Sequence, residues 1–117
     1  KNDFIVDNDI YEVKHNYKDN EMLVIETVSD DSTLSGAKKL KKGWWYTNNA
    51  KYFVFVSKDT RTKIRLLNNC ETHEIFNLLR EEYAERPQIT TRNDSEWRSW
   101  HVTVPLKSFE GFYEFLK

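Results

Sequence analysis

Asp9-Ile10-Tyr11-Glu12-Val13-Lys14 is the stretch on which the reading of this chain turns. Strand side chains alternate with period two, so Glu12 and Lys14 point to one face and Tyr11 and Val13 to the other. A carboxylate beside an ammonium on a rigid strand can hold a divalent cation and, next to it, orient a water or neutralise an oxyanion. The same spacing is also met as a solvent-facing surface pair that contributes little to stability. The neighbouring segments decide between the two.

Upstream, Phe4-Ile5-Val6 reads as a strand joined to Ile10–Lys14 by the turn residues Asp7-Asn8-Asp9. Downstream, a polar loop over 15–20 leads to the aliphatic strand Met22–Val28, and 29–36 reads as a loop rich in Ser, Asp, Thr and Gly. Residues 38–43 read as a short helical turn or a basic loop. Lys51–Val56 is almost continuously apolar, which predicts a central strand buried on both faces. After a turn at 57–62, Lys63–Leu67 returns as a strand of alternating charge. Thr72–Arg86 reads as the long helix, capped by Thr72, with Ile75, Phe76, Leu78, Leu79 and Tyr83 as its stripe and Pro87 as its stop. Trp100–Val104 reads as a strand closed by Pro105. The last stretch, 108–117, reads as a short helix with Phe109, Phe112, Phe115 and Leu116 inward. The order predicts one α/β domain over residues 1–117, with a central mixed sheet flanked by helices.

At 117 residues the chain is long enough for one core and not for two. With 38% hydrophobic and 15% aromatic residues it is globular despite 32% charge. No apolar run approaches the ~20 residues of a membrane span, so no membrane partner is expected. A lone Cys70 excludes an intramolecular disulfide and a cysteine-rich zinc site, which favours a reducing, cytoplasmic setting. The chain opens at Lys1 inside what reads as structured sequence, so a preceding segment is expected.

Net charge is −1, and the distribution says more than the sum. Lys38, Lys39, Lys41 and Lys42 form one basic block, and Lys58, Arg61, Lys63 and Arg65 a second. Either suits phosphate attraction or an ordinary solvated surface. Trp44, Trp45 and Tyr46 follow the first block directly. Aromatic residues interleaved with lysines grip single-stranded nucleic acid by stacking, at about 1–3 kcal/mol per base. The competing reading puts two of the three in the core.

Taken together, Asp3, Tyr11-Glu12-Val13-Lys14, Leu23-Val24-Ile25-Glu26 and the segment Gly43-Trp44-Trp45-Tyr46-Thr47-Asn48-Asn49-Ala50-Lys51-Tyr52 form an ordered succession. It resembles the PD-(D/E)XK, or restriction-endonuclease-like, nucleases, in particular small phage and mobile-element members. In those an Asp precedes a Glu-Val-Lys strand, an Ile-Glu strand follows, and a Gly-aromatic segment enters the next strand. The resemblance spans Asp3 to Val56. It implies a restriction-endonuclease-like core and metal-dependent hydrolysis of DNA phosphodiesters. Asp3, Glu12 and Glu26 would be metal ligands, hard oxygens that favour Mg²⁺ or Mn²⁺. Lys14 would position the attacking water and offset charge on the phosphate. Lys38, Lys39, Lys41, Lys42, Trp44 and Thr47 would contact the nucleic acid, single-stranded or branched. A homodimer is a further expectation, because one small domain cuts one strand.

Lys51 stands where the family has Asp. Asp7 and Asp9 compete with Asp3 for the upstream acid, and Asp3 is preferred because its strand can pair beside Glu12. Relatives carry a Glu on an N-terminal helix for which there is no room before Asp3; that helix lies in a preceding segment or is not part of the protein. A second register, with Asp19 and Glu26-Thr27-Val28, would replace the lysine by Val28. The alternative from another class is a non-catalytic nucleic-acid- or protein-binding domain with a degenerate site.

Overall fold

A computed structural model describes residues 3–18, 21–31, 40–92 and 95–116. The first strand, β1 (Asp3–Val6), turns back on β2 (Asp9–Lys14) in antiparallel register, Val6 opposite Asp9 and Asp3 opposite Glu12. Asp7 and Asn8 link them at φ 51° and 69°. Two consecutive left-handed residues make the type I′ hairpin turn, and Asp and Asn tolerate that region best among non-glycines. The expected turn is borne out.

After β3 (Tyr17–Lys18) come β4 (Met22–Asp31), β5 (Leu40–Lys42) and a single helical turn, α1 (Trp44–Thr47). Then β6 (Tyr52–Val56) and β7 (Lys63–Leu67) pair as an antiparallel hairpin. Helix α2 (Cys70–Glu82) precedes the long hairpin of β8 (Glu85–Arg92) and β9 (Ser95–Pro105). A 3₁₀ turn at Leu106–Phe109 and a last strand, β10 (Tyr113–Leu116), close the chain.

The strands form two sheets, not the single central sheet flanked by helices that was expected. One runs β1-β2-β6-β7-β10 and is mixed, because β2 and β6 are parallel. The other runs β3-β4-β9-β8, with β5 also on β4. Both sheets bury a face in one contiguous core. Phe53, Phe55, Ile64 and Leu66 come from the first; Leu23, Ile25, Val102 and Val104 come from the second. Trp45, Phe76, Leu106 and Phe109 complete the core from the helical turns and α2. In β6, Phe53, Val54 and Phe55 are all buried, as its apolar run requires. No helix among the described residues is long and apolar enough to cross a membrane.

Two helix expectations are corrected. Helix α2 starts two residues early, with Asn69 rather than Thr72 as its cap; the Asn69 side chain accepts from the Thr72 N–H, and the Thr72 hydroxyl answers the Asn69 N–H. It ends at Glu82, because Pro87 forces its predecessor out of the helical region and Ile89-Thr90-Thr91 is β-branched. Pro87 sits in β8, an edge strand, where its missing N–H is tolerated. The C-terminal helix is replaced by the 3₁₀ turn and β10. Gly111 at φ 92° breaks the period, and Tyr113-Glu114-Phe115 then alternates as a strand, leaving Phe115 half exposed. Removing the cap with Asn69→Ala is expected to cost about 1 kcal/mol, read as a melting-temperature drop of a few degrees with the fold retained.

Candidate functional site

The parallel pairing of β2 with β6 sets Glu12 beside Phe53 and Lys14 beside Phe55. Because Phe53 and Phe55 face the core, Glu12 and Lys14 share that inward side. Glu12 is 7% exposed. Its carboxylate holds the Lys14 ammonium at 3.2 Å. Glu12 is thus buried while the Lys14 side chain stays 23% exposed, so the pair sits at the edge of the core and the ammonium compensates the buried carboxylate.

Trp44 forms the wall of this pair. Its ring packs on Phe53 and Phe55 at 5.2 and 5.9 Å, and the Lys14 ammonium lies 5.1 Å from its centroid. A cation over an indole face is attracted by the ring quadrupole, so Trp44 also holds the Lys14 ammonium. Trp44 is itself fixed from the second sheet: its backbone N–H donates to Glu26 Oε1 at 3.1 Å, capping the first turn of α1. The other Glu26 oxygen lies 3.8 Å from His101 Nε2. Glu26 thus reaches the Glu12–Lys14 pair through Trp44. Among the described residues no three His, Cys, Asp or Glu side chains gather where they could hold a metal ion.

Gly43 makes this capping possible. Its N–H donates to the Thr27 carbonyl at 2.9 Å, and a Cβ there would lie 2.2 Å from the Glu26 carbonyl oxygen. The requirement is one of space, since φ is −72°.

Asp3 of β1 stands opposite Glu12 of β2 in antiparallel register, the register expected for it. Lys41 and Lys42 are exposed on β5, and Lys38 and Lys39 lie outside the described residues. Thr47 is exposed and its hydroxyl donates back to the Gly43 carbonyl at 3.3 Å. Trp45 is fully buried, while Trp44 and Tyr46 are half-buried with their rings engaged inside the fold. Lys51, in the family's Asp position, pairs with Asp9 at 3.3 Å and lies over Tyr52; the Asp9 carboxylate raises its pKa. Cys70 is exposed and free at the helix entry.

A ladder on the outer face of the mixed sheet escaped the sequence reading. Phe4 stacks on Tyr11 at 5.0 Å, Tyr11 on Tyr52 at 4.9 Å, and the Arg65 guanidinium covers Tyr52 at 4.6 Å. Arg65 also pairs with Glu114. These rings come from β1, β2 and β6, so only register could have brought them together. The faces of Tyr11 and Tyr52 are occupied within the ladder.

Two histidines give the site a pH dependence. Burial lowers the pKa of His73, whose ring stacks on Trp45 and whose Nε2 meets Asn68 Oδ1 at 2.7 Å. Burial also lowers that of His101, with the Glu26 carboxylate opposing. Both favour the neutral ring in the folded state. Their contribution is therefore complete above the ordinary value near 6.5 and is lost as pH falls through the lowered folded values. Melting temperature is expected to fall from pH 7 to pH 5, and to fall less in His73→Gln/His101→Gln. A melting temperature that rises on acidification would refute this.

No protein family, curated protein or solved structure matches the chain.

Proposed function

We propose that the protein is a Mg²⁺- or Mn²⁺-dependent nuclease hydrolysing DNA phosphodiesters, with Glu12 and Lys14 at its centre. The observation that carries this reading is the buried Glu12 carboxylate held by Lys14, with Asp3 in register across from Glu12. Burying a carboxylate is costly, and a hydrophobic residue of similar volume serves stability as well or better. A pair kept at that cost points to chemistry.

The donor chemistry suits the metal. Mg²⁺ keeps several waters and is bound through one or two carboxylates, which Asp3 and Glu12 supply. When bound, it lowers the pKa of a water and acts as a Lewis acid on the phosphoryl oxygen. Lys14, released from part of its bond to Glu12, orients that water and offsets charge on the non-bridging oxygen. Glu26 acts as a positioning residue: it fixes Trp44, and Trp44 fixes the Lys14 ammonium. In this reading the mixed sheet corresponds to the restriction-endonuclease-like core, and the protein works in the cytoplasm, with a homodimer needed for double-strand cleavage.

The test is incubation with plasmid and with single-stranded DNA in Mg²⁺, Mn²⁺ or EDTA. Metal-dependent cutting lost in Glu12→Gln and Lys14→Met supports the nuclease. Cutting that survives both substitutions, or no cutting by the unsubstituted protein, refutes it.

A further inference from the structure

Because β2 and β6 run parallel, the chain leaves both at one end of the mixed sheet, His15 after β2 and Ser57-Lys58 after β6. Lys63 opens β7 opposite Val56, and Leu116 of β10 lies opposite Lys63. These residues line an open cavity of about 580 Å³, with Lys58, Arg61 and Lys63 as cations, His15 beside them, and Val56 and Leu116 as apolar lining. An adjoining cavity of about 430 Å³ shares His15 and Lys58 and adds Lys18 and Asp59.

In a chain of net charge −1, five basic side chains (Lys18, Lys58, Arg61, Lys63 and the histidine His15) and one acidic one (Asp59) converge here from two stretches, 15–18 and 58–63. Among the described residues none of the five makes an ion pair, whereas Lys14, Lys51, Arg65 and Arg80 each hold a carboxylate. Arg61 is moreover held at φ 59°, a region disfavoured for arginine. An unneutralised basic rim over an apolar lining complements a ligand that is anionic along one side and apolar along the other.

We infer that this groove binds single-stranded nucleic acid, the cations contacting phosphates and Val56 and Leu116 meeting an unpaired base. Val56, Lys63 and Leu116 lie on the face of the sheet opposite Glu12 and Lys14. The groove is therefore a surface apart from the Glu12–Lys14 pair; it deepens the nucleic-acid reading proposed above and requires no hydrolysis.

The experiment is fluorescence anisotropy of a labelled single-stranded oligonucleotide in EDTA, where nothing is cut. Three to four phosphate contacts predict a log–log salt slope of about −2 to −3, a loss of roughly 20- to 60-fold between 50 and 200 mM salt. Lys58→Glu/Arg61→Glu/Lys63→Glu is expected to weaken binding at least ~30-fold at low salt. Lys58→Gln/Arg61→Gly/Lys63→Gln removes the same charges with residues suited to the turn, and is expected to weaken it about 10-fold. Arg86→Glu, exposed on the edge strand β8 of the other sheet, should change it less than about threefold. Duplex of equal length should bind more weakly, and anionic phospholipid vesicles not at all. Equal or tighter duplex binding, vesicle binding without oligonucleotide binding, or unchanged affinity in both triple variants would overturn the assignment. Failure here leaves the cleavage assay untouched, and cleavage failure leaves this one untouched.

Discussion

Glu12→Gln is expected to leave a folded protein whose metal-dependent DNA cleavage has fallen by about 10²- to 10³-fold, equivalent to roughly 3–4 kcal/mol of lost transition-state stabilisation. The amide keeps the volume of the carboxylate but carries no charge for a cation or for Lys14. The structural penalty is smaller. Lys14 loses its partner at 3.2 Å but keeps the Trp44 face and part of its hydration, so about 1–2 kcal/mol is expected. The two effects separate in one experiment, because circular dichroism and melting report the fold while nicking of plasmid reports the site. A variant that melts near the parent temperature and cuts at the parent rate would remove Glu12 from the chemistry.

Gly43→Ala is expected to be the most damaging small substitution in the described chain. Its Cβ would lie 2.2 Å from the Glu26 carbonyl oxygen and 2.5 Å from its carbon, both backbone atoms that no rotamer change can move. Either β4 and α1 separate, or the Gly43–Thr27 bond breaks. A cost of about 3 kcal/mol follows, a melting-temperature loss on the order of 10 °C at this chain length. The same displacement pulls Trp44 from its cap on Glu26, so Lys14 loses its wall. Cleavage should therefore decline even well below the melting temperature. An alanine variant as stable as the parent would mean that β4 and α1 do not approach as described.

The legible parts of the fold were those with strong local chemistry. Asp7-Asn8 announced its turn, and the aliphatic run of β4 and the apolar run of β6 announced strands. Helix α2 was legible in most of its stripe, Phe76 buried and Ile75, Leu79 and Tyr83 packed on the core, but Leu78 is 70% exposed and both ends were misread. Asn69 is as good a cap as Thr72, and the turn Tyr83–Arg86 reads as helical until Pro87 and the β-branched residues beyond it are weighed together. The last segment was misread because Phe109, Phe112 and Phe115 fit a helical period as well as Tyr113 and Phe115 fit a strand. The pairing of the second sheet could not be read, since nothing local in β8 or β9 states that β9 pairs with β4.

The site divides in the same way. Glu12 and Lys14 were legible because two residues on one strand share a face by geometry alone. Glu26 was found as a candidate residue, while its bond to the Trp44 N–H was not, because that bond depends on two elements meeting across a loop. The basic block from Lys58 to Lys63 was visible as charge, while the cavity it rims exists only through the parallel pairing of β2 and β6.

The most direct measurement is calorimetric titration of the protein with Mn²⁺. The account predicts one saturable site, lost in Asp3→Asn and in Glu12→Gln and retained in Lys14→Met. Absence of binding to the parent protein, or binding that survives both carboxylate substitutions, would contradict it.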